Sequence, residues 1–256
     1  MTMSAMQTTT NQERWETLGL VMRDVAIKAG ALTEKMRLAG VTPETKADGS
    51  IVTPADRASE ALIKEALQSI TADYADLLPA NTTFVGEESI EAGDKPDVSA
   101  GNFFVVDPID ATKNFVHGTP GVDRYTINIA LVLDHIPVMG VILEPVSGDL
   151  LASKDHSSAI ISVAGGPDLP LTPAAGSDDE TLPTYRRGAM SYADLIRGKR
   201  DEVVHNKSYE WDTAAQDAML RTVGGSIRVK ETGAPLTYGK AQVDFFNPAI
   251  ISTMDD

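Results

Sequence analysis

The chain contains no cysteine, only two tryptophans, and no apolar run approaching the length of a membrane span. The first absence removes disulfides, thiolate nucleophiles and cysteine-ligated zinc, and it accords with a reducing compartment. The third leaves no candidate spanning helix. The opening MTMSAMQTTT has neither the basic nor the apolar region of a secretory leader, so the expectation is a cytoplasmic protein without an integral membrane segment. Positive charge is also scarce. With 22 Lys and Arg against 37 Asp and Glu, the formal charge is -15, which argues against a nucleic-acid polymer or an anionic membrane as the main partner but allows a local basic pocket. The four histidines, His117, His135, His156 and His205, show no metal-ligand spacing and are expected in surface loops or at strand ends.

What is present suits a globular protein: 256 residues, 42% hydrophobic, enough for one large domain or two smaller ones. Trp15, Leu18, Met22, Val25, Ala29, Leu32 and Met36 recur every three or four residues, which predicts a long amphipathic helix. A second helical pattern, Ala58, Leu62, Ala66 and Ile70, follows the cap and first-turn signals Thr53 and Pro54. After Leu78 the texture changes to short runs rich in β-branched and aromatic residues, TTFVG, NFFVVD, YTINIALVLD, IPVMGVILEP, LLASK and AIISV, with LDHIP as a tight hairpin connection. Residues 164–184 thin into Gly, Pro, Ser and Asp and read as a loop. Beyond them come a weak helix from Ala189 to Ile196, a strand DEVVH, a helix WDTAAQDAMLRTV stopped by Gly224 and Gly225, and a strand SIRVK. Strands mixed with crossing helices favour an α/β or α+β architecture.

The stretch FVVDPIDATKNF places Asp107 and Asp110 at the end of an apolar strand. Pro108 fixes its own φ and lacks an N–H, so the strand cannot continue unbent. A bend would turn both carboxylates and the Ile109 carbonyl toward one point, an all-oxygen set suited to a hard divalent cation such as Mg²⁺. The plainer alternative is that Asp107 ends a strand and Asp110 caps a turn. Glu87 and Glu88 in VGEES, and Asp212 in EWDTAA, admit a similar pair of readings: metal ligands, or a solvated turn and a helix cap.

Taken in order, GEES, DPIDAT and EWDTAA resemble the hallmarks of the magnesium-dependent, lithium-sensitive phosphatase superfamily of inositol monophosphatases and fructose bisphosphatases. The resemblance continues through TKADGSIVTPAD, YTINIALV, GVILEPVSGDLLAS, GAPLTYGK and FFNPAII, so it covers most of the chain outside the loop. KADGSIVTPAD, DATKNF, EWDTAA and NPAII look most like the bacterial 3'(2'),5'-bisphosphate nucleotidase branch. The resemblance implies a layered αβαβα sandwich with a shortened C-terminal half. It divides at residue 155: residues 1–155 carry most metal ligands, and 156–256 carry Asp212 and part of the substrate pocket. It implies two or three Mg²⁺ ions, one held by Glu87, Asp107 and the Ile109 carbonyl, another by Asp107, Asp110 and Asp212, with Asp56 near the first or a third. Thr112, Asp56 and Glu87 would be the catalytic set, Thr112 orienting a water and Asp56 taking its proton. Asp110 and the N–H groups of Ala111 and Thr112 would bind the phosphate.

The implied activity is hydrolysis of the 3'-phosphate of adenosine 3',5'-bisphosphate, a small phosphorylated substrate. The alternatives are an inositol-phosphate or sugar-phosphate phosphatase, and a metal- or nucleotide-binding protein that has lost turnover. Oligomeric state is not readable. Three departures from the pattern bear on this. Ala111 replaces the glycine that usually follows DPID, which costs strain if its φ is positive. The loop at 164–184 stands where a strand and helix are expected, which would open one side of the pocket. GAMSYADLI supplies Ser191 at the position that separates the branches, and Asp194 interrupts an apolar helix face. Lys46 is a candidate neighbour of the metals, and Lys199, Arg200 or Lys207 near the site would favour a doubly phosphorylated substrate.

Overall fold

The computed structural model describes residues 3–46, 49–173, 183–185 and 188–254, with side chains from residue 11 onward. The first element is the long helix, α1 (Met3–Ala39), which buries Leu18, Met22, Val25, Ala26 and Ala29 and ends where Gly40 takes a positive φ of 87°. A small antiparallel ladder, β1 (Glu44–Thr45) and β2 (Ile51–Val52), leads into α2 (Pro54–Ile70). Thr53 caps α2 as its sequence signals require, in a capping box completed by Asp56.

Seven strands form the main sheet in chain order: β3 (Thr83–Gly86), β4 (Phe103–Asp110), β5 (Thr126–Leu133), β6 (Ile136–Glu144), β7 (Asp149–Asp155), β8 (Ser158–Ser162) and β9 (Leu169–Pro170). Short helices α3 (Glu87–Glu91) and α4 (Thr112–His117) leave the ends of β3 and β4. Among the described residues only β3 and β4 of this sheet pair in parallel; every other neighbour is antiparallel. The LDHIP hairpin is tight because Asp134 and His135 both adopt positive φ, 50° and 65°, matching the twist of the strands it joins. Alternation along β4 sends Phe104 and Val106 toward α1 and α2, and Phe103 and Val105 into the core on the opposite face. Both faces are covered, which is why β4 reads as a continuous apolar run.

The second half adds α5 (Ser191–Ile196), β10 (Val203–His205), a 3₁₀ turn at Glu210–Asp212, α6 (Ala214–Thr222), β11 (Gly225–Val229) and β12 (Ile250–Met254). β12 lies between β10 and β11 in a three-stranded antiparallel sheet. α6 packs between the two sheets, close enough to β6 that a Cβ on Gly140 would stand 2.4 Å from the Ala215 carbonyl. The described residues thus stack as helices, sheet, helices, sheet, a mixed α/β sandwich. The expected division at residue 155 falls inside the β7–β8 hairpin, where Asp155 pairs with Ser158, so β8 and β9 belong with the first sheet. The loop expected at 164–184 contains β9 as an edge strand, where Pro170 can sit without a ladder N–H. Its middle, 174–182, lies outside the described residues.

Candidate active site

β4 pairs Asp107 with Asn128 and Asp110 with Thr126 across β5, so three steps on one strand oppose two on the other. This bulge is the bend that Pro108 predicts, and a bulge re-aims the side chains around it. Asp107 is buried at 2% exposure and accepts the Ile109 N–H at 3.0 Å. Asp110 accepts the Thr126 hydroxyl at 3.2 Å. The Ile109 carbonyl accepts the Thr112 hydroxyl at 3.0 Å, and that same hydroxyl lies 3.3 Å from Asp56 Oδ1. Asp56 Oδ2 serves the α2 cap, accepting the Thr53 N–H at 2.8 Å and its hydroxyl at 2.6 Å. Asp56, Ile109 and Thr112, three residues singled out in the sequence, therefore meet directly.

Glu87 opens α3 at the end of β3, beside β4 in the parallel pair. What aims it is Glu60 on α2, which sequence reasoning missed although it lies four residues after Asp56 on the same helix. Glu60 accepts the Glu88 N–H at 2.7 Å, the Ser89 N–H at 2.8 Å and the Ser89 hydroxyl. Its carboxyl passes so close to β3 that a Cβ on Gly86 would meet it at 2.4 Å, which explains the glycine of GEES. Lys46 reaches in from the loop after β1, 3.4 Å from Glu87, 3.0 Å from Glu88 and in contact with Glu91. Among the described residues, these three glutamates are the group whose carboxylate oxygens converge within 4.8 Å. Glu91 was not a sequence candidate.

Asp212 ends the 3₁₀ turn before α6 and accepts the Tyr209 N–H at 2.6 Å. Its charge acts on Glu87 and Asp107, and that of Asp110 acts on it. His205 stands at the end of β10, a strand end as expected, but it is half-buried and close enough for Asp110 to favour its protonation against the effect of burial. Nothing local in sequence marks it; β10 brings it there. Ala111 has φ 71° and ψ 48°, the left-handed region, and its side chain is exposed. The strain foreseen for a positive φ is therefore present, as backbone strain rather than crowding.

The electrostatics are those of a cluster short of positive charge. Burial, then Glu87, Asp110 and Asp212, hold the Asp107 carboxyl well above the usual carboxylate range. Burial and neighbouring acids raise Glu87 to about 8 against the opposing pull of Lys46, and burial raises Glu88 to about 7. Burial and Asp110 raise Asp212 to about 7, and burial raises Asp110 and Asp56. Beside them the buried Asn128 amide, with the Thr126 hydroxyl, is near enough to Asp110 to favour its charged form against burial. Buried like charges with oxygen ligands fit a hard divalent cation, which would restore the charged form of each.

A cavity of about 460 Å³ opens from this cluster, lined by Asp110, Ala111, Arg124, Glu144, Tyr185 and Met190 among others. Pro183 and Thr184, at the end of the 164–184 loop, line one side of it. Asp194, the residue that interrupted the α5 apolar face, accepts the Tyr185 N–H at 2.6 Å, and Arg197 donates to the Pro183 carbonyl at 2.9 Å.

The profile of the inositol monophosphatase family matches residues 15–184. An inositol monophosphatase of Mesembryanthemum crystallinum is 29% identical over 139 residues, 54% of this chain and 47% of that one, so the chain spans about half of that relative. A 3'(2'),5'-bisphosphate nucleotidase, CysQ, of Aggregatibacter actinomycetemcomitans is 26% identical over 253 residues and 89% of each chain. The crystal structure of CysQ from Bacteroides thetaiotaomicron, a bacterial member of the inositol monophosphatase family, superposes with a TM-score of 0.69 at 23% identity over 94% of this chain and 98% of that one.

Proposed function

Because this chain belongs to the inositol monophosphatase family, whose members are phosphatases using divalent metal, we propose that it is a Mg²⁺-dependent phosphomonoesterase acting on the 3'-phosphate of adenosine 3',5'-bisphosphate in the cytoplasm. The observation that carries the reaction class is the donor-poor group of buried acids at the β4 bulge, with Thr112 held between Asp56 and Ile109. The nearly full-length match to a bisphosphate nucleotidase supports the substrate.

Glu87, Asp107 and the Ile109 carbonyl would hold one Mg²⁺, and Asp107, Asp110 and Asp212 a second, with Asp56 beside the first or a third. Bound there, the metal supplies an activated water and stabilises a leaving oxygen. The chain's own residues do the rest. The Thr112 hydroxyl gives its one hydrogen to Asp56 or Ile109, which leaves its lone pairs to accept from and orient a water. Asp56, with its proton affinity raised by burial, is the acceptor at hand for that water's proton. Asp110 and Ala111 border the cavity where the phosphate would lie, and the N–H groups of Ala111 and Thr112 would bind it.

One observation favours a second reading, an inositol- or sugar-phosphate phosphatase: the 29% identity to an inositol monophosphatase over 139 residues. Phosphate release with Mg²⁺ from adenosine 3',5'-bisphosphate, inositol 1-phosphate and fructose 1,6-bisphosphate separates the two. The bisphosphonucleoside should be turned over best, and chelation by EDTA should stop all three. Magnesium binding in a calorimeter without release from any substrate would instead identify a binding protein that has lost turnover.

A further inference from the structure

The cavity beside Ala111 has a cation of its own that is not among the metal ligands. Arg124 lies two residues before Thr126, whose hydroxyl donates to Asp110, so its backbone is about 7 Å from that position along an extended chain. Nδ2 of Asn114 in α4 donates to the Arg124 carbonyl at 3.1 Å, and Arg37 donates to the carbonyls of Asp123, Asn114 and Phe115 at 2.9 Å each. Arg124 is therefore fixed in position relative to both β4 and α4, the two elements that meet at Ala111.

Its guanidinium is anchored on one side only. Nη1 lies 3.1 Å from both Glu144 oxygens and 3.8 Å from Asp149 Oδ2; those two carboxylates are 4% exposed, whereas Arg124 is 53% exposed. Asp149 is itself held by the Ala164 N–H at 2.8 Å and the Tyr185 hydroxyl at 2.9 Å. Nε and Nη2 make no hydrogen bond to a described residue. Arg124 is the one Lys or Arg among the described residues that line this cavity. Lys199, Arg200 and Lys207, the cations suggested by the sequence, do not line it.

We infer that Arg124 selects the leaving group. Its free Nε and Nη2 edge binds an anionic oxygen pair, of a second phosphate or a carboxylate, while Glu144 and Asp149 hold the guanidinium still. Two parallel N–H donors match the two oxygens of such a group, whereas a neutral hydroxyl uses only one of them. The inference rests on the phosphomonoesterase reading and assigns a residue to the second anion that reading requires.

The test compares substrates that differ only in that anion: adenosine 3',5'-bisphosphate with adenosine 3'-phosphate, and 3-phosphoglycerate with glycerol 3-phosphate. In Arg124→Gln, kcat/KM for the member of a pair that carries the second anion should fall about 10- to 100-fold, the scale of a lost charge-assisted contact. The partner lacking it should change less than about threefold. A selective loss in the first pair names phosphate as the anion, and one in the second pair names carboxylate. Arg124→Lys, which keeps the charge near Glu144, should fold normally and lose less. Equal losses within both pairs, or no loss, would overturn the inference. If wild type releases no phosphate from any of these, the phosphatase reading fails separately. The same comparison is then read as binding of adenosine 3',5'-bisphosphate and adenosine 3'-phosphate by calorimetry, where an unchanged affinity ratio overturns the role of Arg124.

Discussion

Glu210 and Asp107 are both buried, at 0% and 2% exposure, yet their surroundings are opposite. Glu210 accepts the Gly239 N–H at 2.7 Å, the Lys240 N–H at 2.8 Å and the Lys240 ammonium at 2.7 Å. Asp155 is treated similarly: the Ser157 N–H, two serine hydroxyls and Gln12 surround it and hold its carboxyl below the ordinary range despite burial. Asp107 receives a single N–H and faces three other acids. Burial therefore does not separate Glu210 and Asp155 from the carboxylates proposed as metal ligands. The supply of donors does, because a site that must hold a cation has to leave its acids short of other partners.

The largest test of that contrast is Asp107→Asn. It should lower turnover by more than tenfold, at least about 1.4 kcal/mol of barrier, while leaving the metal-free melting temperature unchanged or higher, because it removes repulsion at nearly constant volume. Retention of more than about a tenth of activity would count against Asp107 as a ligand. Glu210→Gln should do the reverse to stability. Removing a charged acceptor from three donors should cost about 1–3 kcal/mol, read by urea denaturation; a variant as stable as wild type would mean that Glu210 does not brace the turn before Asp212.

Acidity sharpens the comparison further. Glu87, Glu88 and Asp212 keep protons in the native state up to about 8, 7 and 7, where the unfolded chain has already lost them near 4.5 for Glu and 3.8 for Asp. The native state then binds more protons, so metal-free stability should fall as pH rises between these limits. Saturating Mg²⁺ should flatten the decline. Asp155 contributes with the opposite sign, its stability present above the unfolded value of 3.8 and lost as pH falls through its depressed native value. Urea titrations at several pH values in EDTA would expose a flat profile if the cluster titrates normally. The smallest effect belongs to Ala111→Gly. Relieving the left-handed alanine should stabilise the fold by about 1 kcal/mol and raise kcat/KM for every phosphate substrate alike; a lower melting temperature would show that the turn tolerates alanine.

Much of this was readable in the chain because it is local. The α1 stripe, the Thr53 cap, the bend at Pro108 and the paired acids of DPID all follow from neighbours within a few residues. The residues that escaped notice act across long separations. Glu60 supports α3 from another helix, His205 arrives on β10, and Arg124 is placed by the β4–β5 register and by Asn114. Asp194 looked misplaced because its partner, the Tyr185 N–H, sits at the end of a loop whose composition carries no periodic signal. Gly86 is intelligible only once the Glu60 carboxyl is seen where its Cβ would stand.

The parallel pairing of β3 with β4 also bears on the order in which the molecule assembles. Glu87 and Asp107 become neighbours only after the chain between the two strands has crossed over, and Asp212 joins them from the far half of the sequence. Contacts at such separation demand loop closure before they return any energy, so the cluster is expected to complete late in folding. A divalent cation that recognises only the finished cluster would then leave the refolding rate almost untouched and slow unfolding in proportion to its occupancy. In a chevron plot Mg²⁺ should lower the unfolding arm alone, which makes the ion a brake on opening and not a template for folding.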